Sequence, residues 1–180
     1  LSQPSFSGTS GTESTRPLPQ TSVVLLHGLN RSPWSMRHIE HALLRDGYRV
    51  HNLAYPSREA DIVELSRRVH EKMVELTAHD EKVHVVTHSM GGILIRTIQK
   101  HQPLGNLGRV VMLGPPNQGS EVVDHLGKLS LFEVINGPSG RQLGTDPSGL
   151  IHELGPVDFE LGVISGDRSV NILLSNLIPG

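Results

Sequence analysis

The sequence predicts an α/β domain, a mostly parallel sheet with helices on both faces. Three observations carry this. Five short apolar runs alternate with helix-like segments. The runs are rich in Val, Ile and Leu and nearly unbroken, as strands buried on both faces must be. No stretch repeats at a fixed period, which sets solenoids and propellers aside.

The elements follow in order. Residues 1–21 are mostly Ser, Thr, Gly and Pro and read as a disordered leader or linker. The folded domain is expected over 22–180. Val23 to His27 (VVLLH) reads as a buried strand. Pro33 to Asp46 reads as a helix, with Ser32 at the N-cap, Pro33 at the first helical position and Gly47 as the stop. Tyr48 to Ala54 is a second strand. Arg58 to His79 is a long helix, because Ile62, Leu65, Val69, Met73 and Leu76 recur at helical spacing. Val83 to Thr87 (VHVVT) is a third strand, Met90 to His101 a helix stopped by Pro103, and Leu107 to Leu113 a fourth strand. Gly114 to Glu160 is rich in Gly and Pro, with a helix expected over Ser120 to Leu129. Leu161 to Ser165 closes the series as a fifth strand.

Composition bounds the function. The 180 residues suffice for one domain with a sizeable core. With Lys+Arg 16 and Asp+Glu 18 the net charge is −2, which makes no case for nucleic-acid binding or a polybasic membrane patch. The absence of Cys excludes disulfides, a thiol nucleophile and thiolate metal ligands. No apolar run approaches the roughly 18 residues of a membrane span. Aromatic residues are 3%, low for recognition by stacking. The chain begins at Leu1 without a charged-then-apolar signal segment. A signal removed upstream would fit a secreted or cell-envelope location, so the compartment stays open.

Ligands of parallel sheets bind beyond the carboxyl ends of the strands. His27-Gly28, Ser89, Gly114-Pro115 and Gly166-Asp167 all fall at such ends. Ser89 lies in Thr87-His88-Ser89-Met90-Gly91, between a strand and a helix. A nucleophilic serine on such a turn needs small flanking residues, commonly G-x-S-x-G, so that strand and helix approach closely. Here Thr87 replaces the first glycine, which should open the turn slightly, while Gly91 is kept and Gly92 follows. The plainer alternative is a serine that merely caps the helix. Acyl transfer also needs donors for a developing oxyanion. The N–H of Met90, at a helix N-terminus, is one candidate. The N–H of Leu29, in the loop His27-Gly28-Leu29-Asn30, is the other. An ordinary strand-end turn is the alternative for that loop.

Together, Leu25-Leu26-His27-Gly28-Leu29, Thr87-His88-Ser89-Met90-Gly91-Gly92 and Gly114-Pro115-Pro116-Asn117-Gln118-Gly119-Ser120 resemble the α/β-hydrolase fold, and within it small bacterial lipases and esterases. The resemblance runs from about Ser22 to the end of the chain. It implies a serine hydrolase acting on acyl esters or lipids, with a Ser-Asp-His triad in that chain order. Ser89 takes the nucleophile role, Leu29 and Met90 form the oxyanion hole, and His27, Gly28, His88 and Gly91 support loop and elbow. By the same analogy the PPNQGS segment lines the acyl or alcohol side of the cleft.

The partners of Ser89 are harder to find. The last of eleven histidines is His152, which precedes Asp167, so no residue completes the order Ser…Asp…His. His152 is the one in-chain candidate base. Asp167 is the candidate acid, with a turn cap or a pairing with Arg168 as the alternative; the resemblance puts the family's acid later. The simplest expectation is a C-terminally truncated chain, an enzyme's front three-quarters with its sheet incomplete at that edge. Roughly another 40–60 residues would supply the acid loop, last strand, histidine loop and closing helix. His38 and His41 share one helix, but no third ligand accompanies them, and they read as a solvated face. Gly91-Gly92 lacks the third spaced glycine of a dinucleotide fingerprint. Neither metal nor cofactor is expected. Two other functions stay open: an inactive acyl-binding chain, and an acyltransferase using the same serine.

Overall fold

The computed structural model describes residues 21–116, 138–139, 142 and 149–165. Residues 1–20 of the expected leader, the expected helix over 120–129, and Asp167 lie outside the described residues. Five strands form one sheet: β1 (Thr21–Leu26), β2 (Arg49–Leu53), β3 (Lys82–His88), β4 (Leu107–Leu113) and β5 (Leu161–Ile164). Their order is β2-β1-β3-β4-β5, and every pairing is parallel. Strand β1 begins at Thr21, a residue the sequence assigns to the leader.

The unbroken run Val23 to Leu26 serves two cores at once, because successive strand side chains point to opposite faces. Val24 and Leu26 join the larger core, while Val23 and Leu25 join a smaller one. The larger core is covered by α2 (Ile62–Leu76) and α3 (Met90–His101). Ile62, Leu65, Val69 and Met73 of α2 are all fully buried, at the spacing that puts them on one stripe. Helix α3 is buried all round from Met90 to Ile98. At about 1.5–3 kcal/mol for each fully buried Leu, Ile or Met, this helix dominates the packing.

The smaller core is covered by α1 (Arg37–Arg45), which presents Ile39 and Leu43. The expected helix over 33–46 thus opens as a separate 3-10 turn, Pro33–Met36. Ser32 makes no side-chain cap bond. Gly47 takes φ +86 directly after the helix, a conformation glycine adopts freely. Helix α2 spans its apolar stripe, Ile62 to Leu76, and is shorter than the expected 58–79 because Asp61 caps it, accepting from the N–H of Glu64 at 2.9 Å. A short helix that the sequence reading missed, α4 (Leu150–Leu154), packs along α3. Arg96 donates to the carbonyl of Gly155 at 2.7 Å, and Lys100 donates to that of Glu153. Cations at these carbonyls complement the carboxyl end of α4.

At the amino ends of the strands, Asp80 gathers three elements. It accepts from Ser22 Oγ at 2.6 Å, pairs with Arg49, and through its carbonyl accepts from Asn106 at 2.9 Å. This tie leaves the opposite end of the sheet to the candidate site.

Candidate functional site

The carboxyl ends of the strands finish in register. Leu53, Leu26 and Thr87 pair across β2, β1 and β3, and His88, Leu113 and Ile164 across β3, β4 and β5. The chain winds one way from β1 to β2 and the other way from β3 to β5. The reversal therefore falls between β1 and β3, where such sheets open a crevice. The loop after β1 carries His27 to Asn30, and the turn after β3 carries Ser89.

Ser89 has φ +50° and ψ −121°, in the half of backbone space that side chains rarely adopt. It stands at the N-cap position of α3 yet makes no side-chain cap bond. A capping residue has extended backbone and spends its side-chain oxygen on the helix. Asp61 does both, at φ −71° and ψ 170°. Ser89 does neither, so the plain capping role fails for this serine. Its backbone is fixed instead by its N–H donating to Leu113 and its carbonyl accepting from Gly92, each at 2.9 Å. Met90, fully buried, is the first residue of α3, where a helix N–H has no intrahelical acceptor.

The glycines explain how the pieces meet. A Cβ on Gly91 would stand 2.6 Å from the Leu26 carbonyl oxygen and 3.1 Å from that of His27. Only glycine lets the first turn of α3 reach the end of β1. A Cβ on Gly28 would lie 3.2 Å from Ser89 Cβ and 2.9 Å from His88 Nδ1. The loop after β1 therefore abuts the serine turn directly. A Cβ on Gly92 would lie 3.4 Å from Thr87 Oγ1. Thr87 stands where a first elbow glycine would, fully buried and with its hydroxyl unpartnered among the described residues.

The loop after β1 is closely held. His27 is fully buried and its Nδ1 lies 2.9 Å from the Gly28 carbonyl oxygen. Asn30 adopts φ +53° and donates its N–H to Ser57 Oγ at 3.0 Å. Arg31 donates back to the Gly28 carbonyl at 3.3 Å. Leu29 packs partly buried against the larger core. Burial lowers the pKa of His27, with the nearby His88 adding to the effect. Burial likewise lowers His88, helped by the Arg31 charge. Both rings are thus biased toward the neutral form.

Sequence reasoning missed Tyr55. Its ring stacks on that of His27 at 4.0 Å between centroids and 5° between planes. Its hydroxyl donates to the His27 carbonyl. The available signal was positional: Tyr55 follows the carboxyl end of a strand, as Ser89 and Gly28 do.

The other candidates lie apart from this cluster. His152 is exposed on α4, which is held to Arg96 and Lys100, about 10–16 Å along α3 from the serine. Pro115 stands beside Gly92, while residues 117–120 of the PPNQGS segment lie outside the described residues. His38 and His41 are exposed on α1. Among the described residues no group of three or more His, Asp or Glu side chains stands close enough to hold a metal ion. None of their helices is long and apolar enough to cross a membrane.

Comparison with known proteins adds a family. Residues 23–167 match the family model described as "Alpha/beta hydrolase family". No curated protein matches the chain. Among solved structures it is similar to phospholipase PlaB from Legionella pneumophila, at 16% identity and TM-score 0.62, over 86% of this chain and 42% of that one. It is similar to the lipase BlEst2 of Bacillus licheniformis in mature form, at 21% identity and TM-score 0.58, over 76% of this chain and 58% of that one. It is also similar to a structure described with LipS and LipT, two metagenome-derived lipolytic enzymes, at 17% identity and TM-score 0.58, over 81% and 71%. Identities this low establish a shared fold. The chain spans about half the length of the first two of these structures.

Proposed function

The chain belongs to the alpha/beta hydrolase family, and from that premise we propose that it is a serine hydrolase cleaving carboxylic esters through an acyl-serine intermediate at Ser89. One observation carries the reading. Ser89 sits at a helix N-terminus with φ +50° and a side chain not spent on capping that helix. A serine that neither caps nor relaxes is held in its conformation for another purpose.

The chemistry follows the geometry. Ser89 Oγ attacks the acyl carbon of the ester, and its proton passes to a base. The carbonyl oxygen becomes an oxyanion, received by the N–H groups of Met90 and Leu29 and by the positive end of α3. Each such donor is typically worth roughly 10²–10³ in rate. Collapse expels the alcohol, which takes up the proton, and water then releases the acid from Ser89. The base in this proposal is a histidine other than the described ones. Asp167 is the candidate acid; β5 leads toward it, its Ile164 carbonyl accepting from Gly114 at 2.8 Å. Similarity in fold to a lipase and a phospholipase favours acyl esters, from small esters to lipids, as substrates.

The test is turnover of a panel of nitrophenyl esters of increasing acyl length by the protein and its Ser89→Ala variant. Hydrolysis by the protein and its loss in the variant are expected. Turnover at an undiminished rate by Ser89→Ala would exclude this serine.

A further inference from the structure

Tyr55 lies outside every motif that marks the site, yet it reaches the loop after β1 from 28 residues away. It is 8% exposed, and its hydroxyl donates to the carbonyl of His27. A buried tyrosine hydroxyl needs a partner. This one takes a backbone carbonyl in the loop that borders Ser89.

The chain of contacts continues through the stacked ring. His27 Nδ1 lies 2.9 Å from the Gly28 carbonyl oxygen. A carbonyl oxygen only accepts, so Nδ1 carries the hydrogen, and the neutral ring leaves Nε2 bare. The Nδ1–H tautomer rests on the Gly28 contact; the backbone of Tyr55 also approaches the ring.

The Gly28 carbonyl and the Leu29 N–H are the two ends of one planar peptide group. Fixing the oxygen fixes the direction of the N–H. Drawing on the oxygen also polarises the N–H, because bonded groups in series strengthen one another. Tyr55 pins the preceding peptide, His27 to Gly28, in the same way. Two successive peptide planes are thus held by their carbonyl ends.

We infer that Tyr55 is a positioning residue: through the His27 carbonyl and the stacked, Nδ1-protonated His27 ring it sets the direction in which the Leu29 N–H points at the oxyanion. The inference rests on the reading of Leu29 as an oxyanion donor. Tyr55 itself touches neither substrate nor Ser89 in this role. Its hydroxyl, rather than its bulk, does the work, because a phenylalanine would keep the stack and the burial.

The experiment compares wild type with Tyr55→Phe in two readouts. The first is the ¹⁵N spectrum. The Nδ1–H tautomer is expected at His27 in wild type. In Tyr55→Phe the Leu29 amide should shift and exchange with solvent faster, while the amide of Val85 in the core stays unchanged. The second is phosphonylation of Ser89 by a fluorophosphonate. The saturating rate constant should fall about tenfold, a part of what a whole oxyanion donor is worth, with the half-saturating concentration unchanged. A Leu29 amide and a saturating rate both equal to wild type would overturn the inference. So would an Nε2–H tautomer in wild type. A folded wild type that is never labelled overturns the serine-hydrolase reading instead, and the Leu29 amide then decides alone whether Tyr55 positions the loop.

Discussion

A Cβ on Gly91 would stand 2.6 Å from the carbonyl oxygen of Leu26, so α3 and β1 meet at a distance that only glycine permits. The neighbour is backbone and cannot swing aside. Gly91→Ala must therefore push the first turn of α3 off the end of β1, at a cost of about 1–3 kcal/mol. Gly92→Ala meets softer surroundings: Met112 Sδ at 3.1 Å, Pro115 Cβ at 3.2 Å and Thr87 Oγ1 at 3.4 Å. The helix propensity gained there, about 1 kcal/mol, offsets much of that crowding. Thermal melts should rank Gly91→Ala well below Gly92→Ala; equal melting points would contradict this packing.

Ser89 holds φ +50° without a cap bond in return. Conformations of this kind cost a non-glycine residue of order 1–3 kcal/mol. Ser89→Gly should relieve part of that cost, and Ser89→Ala should keep it. The glycine variant is expected to melt about 2–4 °C above the alanine variant. A glycine variant no more stable than alanine would mean the turn is relaxed.

Among the described residues four histidines have lowered pKa values, with burial as the first cause in each: His27, His51, His84 and His88. Their ordinary value is 6.5. Below it the unfolded chain takes up protons that the folded chain refuses, so the unfolded state binds more and stability decreases as the pH is lowered. Above it the four contribute no slope. Denaturant midpoints should therefore hold near neutrality and drop between about pH 6.5 and pH 5. Glu64, held down to about 2 by Arg67 and Arg68, titrates below this window. His27→Asn, which keeps a donor for the Gly28 carbonyl, should flatten the drop. A midpoint that rises toward pH 5 would contradict the burial of these rings.

The sequence made much of this fold legible because parallel strands buried on both faces leave unbroken apolar runs. The bounds of α3 and β4 fall where the sequence reading puts them. Helix α2 starts at Ile62, the first residue of its stripe, rather than at the expected Arg58, because Asp61 and Glu64 form a local cap there. Helix α4 was illegible for another reason. Its five residues lie in a Gly/Pro-rich stretch, and its carboxyl end is held by Arg96 and Lys100 of α3, far away in sequence.

The candidate site divides along the same line. Ser89, Gly91 and Gly28 were legible because a tight turn and a close approach demand small residues at fixed offsets. Thr87 in place of glycine reads as a defect in the motif, yet the turn takes it fully buried. Tyr55 left no local pattern, because its role depends on where β2 ends relative to β1. Asp167 and any histidine that would serve Ser89 lie beyond what the described residues bring together.

The most direct test of the central claim is the intact mass of the folded protein after treatment with a fluorophosphonate, with Ser89→Ala alongside. The account predicts one adduct on the wild type, mapped to Ser89, and none on the variant. An adduct that persists in Ser89→Ala, or a folded wild type that takes up none, would contradict it.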